Sequence, residues 1–234
     1  MMKVETFIEK LEQENEALFR ACELQVKAYF DSKPSKEELV EHFINRMVNE
    51  RMNLVEISGN ISQAGSNANP DDLYLLAKQA FDEANHFRMV KRVVEHINGA
   101  PIDVEAAVES QRGNESSKGA SLLDKYEAAD DELMLALYQF VAEGRAARNW
   151  AMMAECVEDE FVAKSYAKIA RDEKFHSNIG KRKLLQLCKD EEQQQRVLAV
   201  IDGMRRDLYT INCLKCGMLP ESKAMVEDAY GQVA

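Results

Sequence analysis

Ala77-Lys-Gln-Ala-Phe-Asp-Glu-Ala-Asn-His86 returns ninety positions later as Ala167-Lys-Ile-Ala-Arg-Asp-Glu-Lys-Phe-His176, with six of the ten positions identical. The shared centre is Asp-Glu-x-x-His. Glu and His three residues apart lie on one face of a helix, one turn from each other. A single copy arises by chance in charged helices. Two copies inside a longer repeat, using two of the four histidines in the chain, do not. The decamer therefore predicts two equivalent helices, each presenting a carboxylate and an imidazole to a common centre.

Punctuation around the repeat predicts an all-α chain. Val4 to Phe30 carries Phe7, Ile8, Leu11, Leu18, Phe19, Cys22 and Leu24 at helical spacing, and Pro34 ends it. Ser35-Lys-Glu-Glu38 reads as a capping box opening a second helix, which fades near Gly65. Asn69-Pro70-Asp-Asp is a helix start and Asn98-Gly99-Ala-Pro101 a stop. Residues 101 to about 120 are polar, bear Gly and Ser, and read as a long loop. A fourth helix is expected from near Ser121, with Leu133, Leu137, Phe140 and Val141 on its apolar face. The acidic stretch Glu155 to Glu160 marks a turn into a fifth helix, which runs to about Leu187. A sixth spans about 191–217, and Pro220 begins a short tail. The expected arrangement is one domain over 1–234: two antiparallel pairs within about 36–190, an N-terminal helix over about 2–31, and a C-terminal helix.

Antiparallel pairing locates two more ligands. Level residues on two such helices are equidistant from their loop. Glu143 lies thirty residues before Glu173, and their midpoint falls in the acidic turn. Glu50 lies thirty-three before Glu83, with its midpoint in the loop by Ser66. Val48-Asn-Glu50 also matches Val141-Ala-Glu143. Glu56 competes with Glu50; it sits roughly 240° around the helix and cannot share its face. Glu50 is preferred, with Glu56 the alternative. The candidate site is then Glu50, Glu83, His86, Glu143, Glu173 and His176. Four carboxylates balance two dications, and oxygen with imidazole suits iron or manganese. Asp82 and Asp172 are placed to accept the free ring N–H of the histidine on the opposite helix.

This pattern resembles the ferritin-like di-iron carboxylate superfamily: Glu50, then Glu83 with His86, then Glu143, then Glu173 with His176. The resemblance implies a ferritin-like four-helix bundle with additional N-terminal and C-terminal helices. It also implies two iron ions (manganese or a mixed pair being alternatives) and an O2-activating oxidoreductase acting on a small organic substrate with an electron donor. Its alternative is a ferroxidase or peroxidase of rubrerythrin or ferritin type. The Asp before each motif is similar to that of the multicomponent monooxygenases and the ribonucleotide reductase small subunits. Those reductases have a radical Tyr where this chain has Val90, and the N-arylamine oxygenases have a His where it has Ile169. Small residues around Glu143 (Ala142, Gly144, Ala146, Ala147) make room for either a substrate cavity or close helix packing. Phe140, Phe87, Phe175 and Trp150 line such a cavity or belong to the core.

The net charge of -11 excludes a basic nucleic-acid surface, and Lys181-Arg182-Lys183 reads as a solvated helix face. No apolar run reaches membrane-spanning length, and the first thirty-one residues lack a signal-peptide core, so a cytoplasmic location is expected. Homodimerisation is compatible with all of this. Cys213-Leu-Lys-Cys216 is a lone pair and reads as ordinary thiols.

Overall fold

The computed structural model describes residues 2–64, 69–112, 122, 125–126 and 131–233, and among them every regular element is helical. The elements are α1 (Val4–Asp31), α2 (Lys36–Ala64), α3 (Pro70–Asn98), α4 (Val104–Ser110), α5 (Glu132–Tyr138), a π-helical turn (Gln139–Glu143), α6 (Gly144–Cys156), α7 (Glu160–Leu187), α8 (Glu191–Cys216) and α9 (Pro220–Tyr230). Local chemistry explains the boundaries. Ser35 and Glu38 form the capping box: the Glu38 N–H donates to Ser35 Oγ (3.2 Å) and the Ser35 N–H to Glu38 Oε2 (2.7 Å). Asn69 Oδ1 accepts from the Asp71 N–H at 2.8 Å ahead of Pro70, and Gly99 closes α3 at φ 78°, where a side chain would be strained. Asp159 caps α7 in the acidic turn.

Helix α2 packs along α3, and the π turn and α6 pack along α7, giving the two pairs that the repeat implies; they meet through α3 and α7. The outer helices depart from expectation. Rather than being additions to a four-helix core, α1, α8 and α9 build the larger of two apolar clusters with α5, through Leu11, Leu18, Leu137, Met204 and Leu208 among others. The second cluster joins α2, α3, α6 and the first half of α7 through Phe43, Met47, Val90, Trp150 and Tyr166. Arg205, fully buried, ties α1 to α8: it donates to Asn15 Oδ1 (2.9 Å) and the Leu11 carbonyl (3.0 Å) and pairs with Asp202 and Glu14. Residues 220–230 are not a tail. They form α9, whose Tyr230 hydroxyl accepts from the Leu18 N–H at 3.1 Å. Helix α4 likewise falls in the expected loop. Ser121, Gly65 and Ser66 lie outside the described residues.

Close approach between α7 and the π turn shapes the interior. A Cβ on Gly180 would stand 2.5 Å from the Ala136 carbonyl oxygen and 2.5 Å from the Phe140 nitrogen, both backbone atoms that cannot move cheaply. Propensity alone would make Gly→Ala in a helix favourable by about 1 kcal/mol. Overpacking costs about 1–3 kcal/mol and wins here. Gly180→Ala is therefore expected to lower stability in urea unfolding by the difference, up to about 2 kcal/mol. Gly59→Ala on α2, where a Cβ meets nothing within 4 Å, is expected to raise it by about 0.5–1 kcal/mol. Equal effects of the two variants would refute this account of the helix contact.

Candidate metal centre

All six candidate ligands are buried, on four helical segments that face one another. Glu50 comes from α2, Glu83 and His86 from α3, Glu143 from the last position of the π turn, and Glu173 and His176 from α7. Along α7 the second apolar cluster ends at Ala170 and the first begins at Leu184, so Glu173 and His176 occupy the interval between them.

Two ligand quartets result. Glu50, Glu83, His86 and Glu173 offer donor atoms that lie within 4.8 Å of one another, and so do Glu83, Glu143, Glu173 and His176. Glu83 and Glu173 belong to both. His86 Nδ1 lies 3.3 Å from Glu50, 3.7 Å from Glu83 and 3.3 Å from Glu173. His176 Nδ1 lies 3.2 Å from Glu83 and 3.3 Å from Glu173. The ring centroids are 5.8 Å apart. Glu56, the alternative to Glu50, is in neither quartet.

The far nitrogens are held crosswise. His86 Nε2 is 3.2 Å from Asp172 on α7, and His176 Nε2 is 3.4 Å from Asp82 on α3. Each Asp thus contacts Nε2 of the histidine of the other repeat, and Nδ1 of each ring faces the glutamates. Each is in turn paired with the lysine of its own repeat: Lys78 with Asp82 at 2.6 Å, and Lys168 with Asp172. These lysines were among the six repeated positions, so a role for them was readable in advance. Gln79 was not, because Ile169 takes its place in the second copy. Gln79 donates to Glu143 at 3.0 Å and accepts from Gln139 at 2.8 Å. Asn53 reaches Glu83 at 3.5 Å.

Electrostatics follow from packing these charges in a dry site. Burial would lower both imidazole pKa values, but the surrounding carboxylates outweigh it and hold them well above the usual range. Burial pushes Glu50 up to about 7 against the pull of His86, and raises Glu143 further beside Glu173 and Glu83. Glu173 goes the other way: its burial is overcome by the nearby imidazoles of His176 and His86. Asp82, despite partial burial, is drawn down to about 2 by His176 and Lys78.

The small residues beside Glu143 serve close packing. A Cβ on Gly144 would meet Phe19 at 2.8 Å and Ser177 at 3.2 Å, so no cavity opens there. Phe140 and Trp150 are core, while Phe175 carries Lys78 over its ring at 4.9 Å. Ser177 donates to the Phe140 carbonyl at 2.9 Å, satisfying an acceptor within the π turn. Lys181 and Lys183 of the basic run pair with Glu12, Asp72 and Glu132 rather than standing in solvent alone. The five cysteines are free thiols. Among the described residues no helix is long and apolar enough to cross a membrane.

No protein-family model matches this chain, and no curated protein matches it. A crystal structure of a TenA homolog from Pseudomonas syringae pv. tomato is similar over 92% of this chain and 95% of its own, at 12% sequence identity and TM-score 0.66. The chain therefore has a TenA-like all-helical fold. That finding corrects the ferritin-like di-iron assignment: the likeness spans nearly the whole chain rather than a four-helix core, and it is to a TenA homolog. The O2-activating oxidoreductase, and the ferroxidase or peroxidase beside it, were implied by that family resemblance and fall with it.

Proposed function

We propose that this chain is a metal-dependent enzyme whose centre takes two divalent transition-metal cations, iron or manganese, on Glu50, Glu83, His86, Glu143, Glu173 and His176. The observation that carries this is the pair of quartets sharing Glu83 and Glu173, whose residues would hold two cations. The donor set fits: oxygen and imidazole, no thiolate, and four negative charges against four positive. Glu50 Oε2, Glu83 Oε1 and His86 Nδ1 are also buried without a hydrogen-bond partner, as atoms reserved for a ligand would be. Cations held there supply Lewis-acid polarisation of a bound oxygen and activation of a bound water. The chain's own residues orient the imidazoles through Asp82 and Asp172, fix Glu143 through Gln79, and keep bulk water out. Likeness of fold at 12% identity brings no substrate with it.

Metal analysis after reconstitution with Fe(II) or Mn(II) is expected to give about two cations per chain. Glu50→Ala removes a ligand from one quartet and should retain about one. Glu83→Ala removes a shared ligand and should retain almost none. Two cations bound to Glu83→Ala would refute the site.

Asp82→Asn and Asp172→Asn keep the helices but lose the charge behind each histidine. Each is expected to weaken metal affinity by roughly 10- to 100-fold in chelator competition. Unchanged affinity in both would make these aspartates mere partners of Lys78 and Lys168.

Metal affinity should also depend on pH. Both imidazoles and the Glu50 and Glu143 carboxyls bind protons more readily than usual. Cations must displace those protons, so affinity rises with pH and falls as pH drops through about 7, where Glu50 becomes protonated. Calorimetry in buffers of different ionisation enthalpy should register proton release. A pH-independent affinity between pH 6 and 8 would contradict it.

A further inference from the structure

His42, Arg46 and Glu50 follow one another at four-residue intervals and share one face of α2. Glu50 belongs to the metal centre. His42, one end of the stripe, lines a surface pocket of about 260 Å³ together with Tyr29, Asn45, Gln111 and Lys215. Arg46 lies between them, 6% exposed, with Nη2 4.0 Å from Cys216 and its guanidinium 5.7 Å over the Trp150 ring. Arg145, 9% exposed, donates to the neutral Asn212 at 3.4 Å and to no other side chain among the described residues. The Nε atoms of both arginines, His42 Nε2 and the Tyr166 hydroxyl are buried without a hydrogen-bond partner.

Buried cations are normally paired, because an unpaired one costs most of its hydration. Arg205 shows how this chain treats a structural arginine: two carboxylates, a side-chain amide and a backbone carbonyl surround it. Among the described residues no carboxylate forms a salt bridge with Arg46 or Arg145. The positive charges also crowd one another. Burial lowers the Arg46 pKa, with Arg145 adding to it against the opposing pull of Cys216 and Glu50. Lys215 is depressed well below its usual value by burial and then by both arginines. The acidic residues of the pocket, Glu38 and Glu41, are exposed, and Glu38 is engaged by Ser35.

We infer that this pocket and the guanidiniums behind it bind a small organic acid, its carboxylate taken by Arg46 with Arg145 and Lys215. Guanidinium matches carboxylate in a planar two-point contact, and Tyr29 and Leu214 in the pocket lining suit an apolar body. The pocket volume admits a molecule of benzoate or hexanoate size. Four residues of helix rise about 6 Å, so a carboxylate on Arg46 stands one turn from Glu50. That the acid is the substrate of the metal centre rests on the function proposed above; that it binds does not.

The test titrates the full chain, with and without added Mn(II), with benzoate, hexanoate and inorganic phosphate, read by calorimetry and thermal unfolding. Metal content is measured on the same samples. A saturable rise in melting temperature with a carboxylate is expected. It should weaken by at least about tenfold in Arg46→Met and more mildly in Lys215→Gln. Without any acid, Arg46→Met should melt no lower than the natural chain, since it removes a buried charge that has no salt bridge among the described residues. A structural arginine would give a lower melting temperature, and that result overturns the inference. So does the absence of a saturable carboxylate effect, a response to phosphate alone, or an equal response in Arg46→Met. Acid binding without metal uptake would overturn the metal reading and leave the anion site standing.

Discussion

Four carboxyl groups and two imidazoles share one dry interior, and that crowding is the constraint to which the surrounding structure answers. Placing ionised groups out of water costs several kcal/mol each unless opposite charge is close. The chain meets this with a crosswise arrangement. Each histidine stands against three carboxylates on one side and an aspartate on the other, and each aspartate is closed off by a lysine one turn away. Glu143, at the end with no histidine on its own helix, is held by the Gln139–Gln79 relay instead. The π turn and the glycine contact at Gly180 are backbone counterparts of the same demand, since they bring Glu143 to the level of Glu173.

Much of this was legible beforehand, for identifiable reasons. The capping box at Ser35, the Asn69-Pro70 start and the Gly99 stop are local chemistry, complete within four residues, and each forms as read. The repeat exposed two equivalent helices because the same residue types recur in the same frame. Glu50 and Glu143 lie beside the repeat's residues, as the simple geometry of antiparallel helices requires. Other features left no such trace. Gln79 has no counterpart in the second copy, the π turn carries no composition signal, and α4 and α9 are too short for a periodic pattern to outweigh Pro101 and Pro220.

The family assignment went astray at a definable point. A set of six ligands requires two antiparallel pairs to face each other, and nothing more. It does not say what covers their outer faces. In this chain that covering is α1, α8 and α9, bound by Arg205, Tyr230 and the larger of the two apolar clusters. Ligand spacing and whole-chain architecture are therefore separate facts, and a pattern of donors cannot stand in for a fold. The outer helices also supply what the inner pairs lack, for Lys215 and Cys216 on α8 complete the surroundings of Arg46.

The crosswise aspartates make the two helix pairs depend on each other. Exchange residues 78, 82, 83 and 86 for 168, 172, 173 and 176, and the contacts of each histidine with both shared glutamates and the opposite aspartate, and of each aspartate with its lysine, have their mirror. The correspondence is approximately twofold. Ile169 opposite Gln79 is a position at which the two copies differ. One helix pair alone holds no complete quartet and leaves its histidine without an aspartate, so either pair is chemically incomplete without the other.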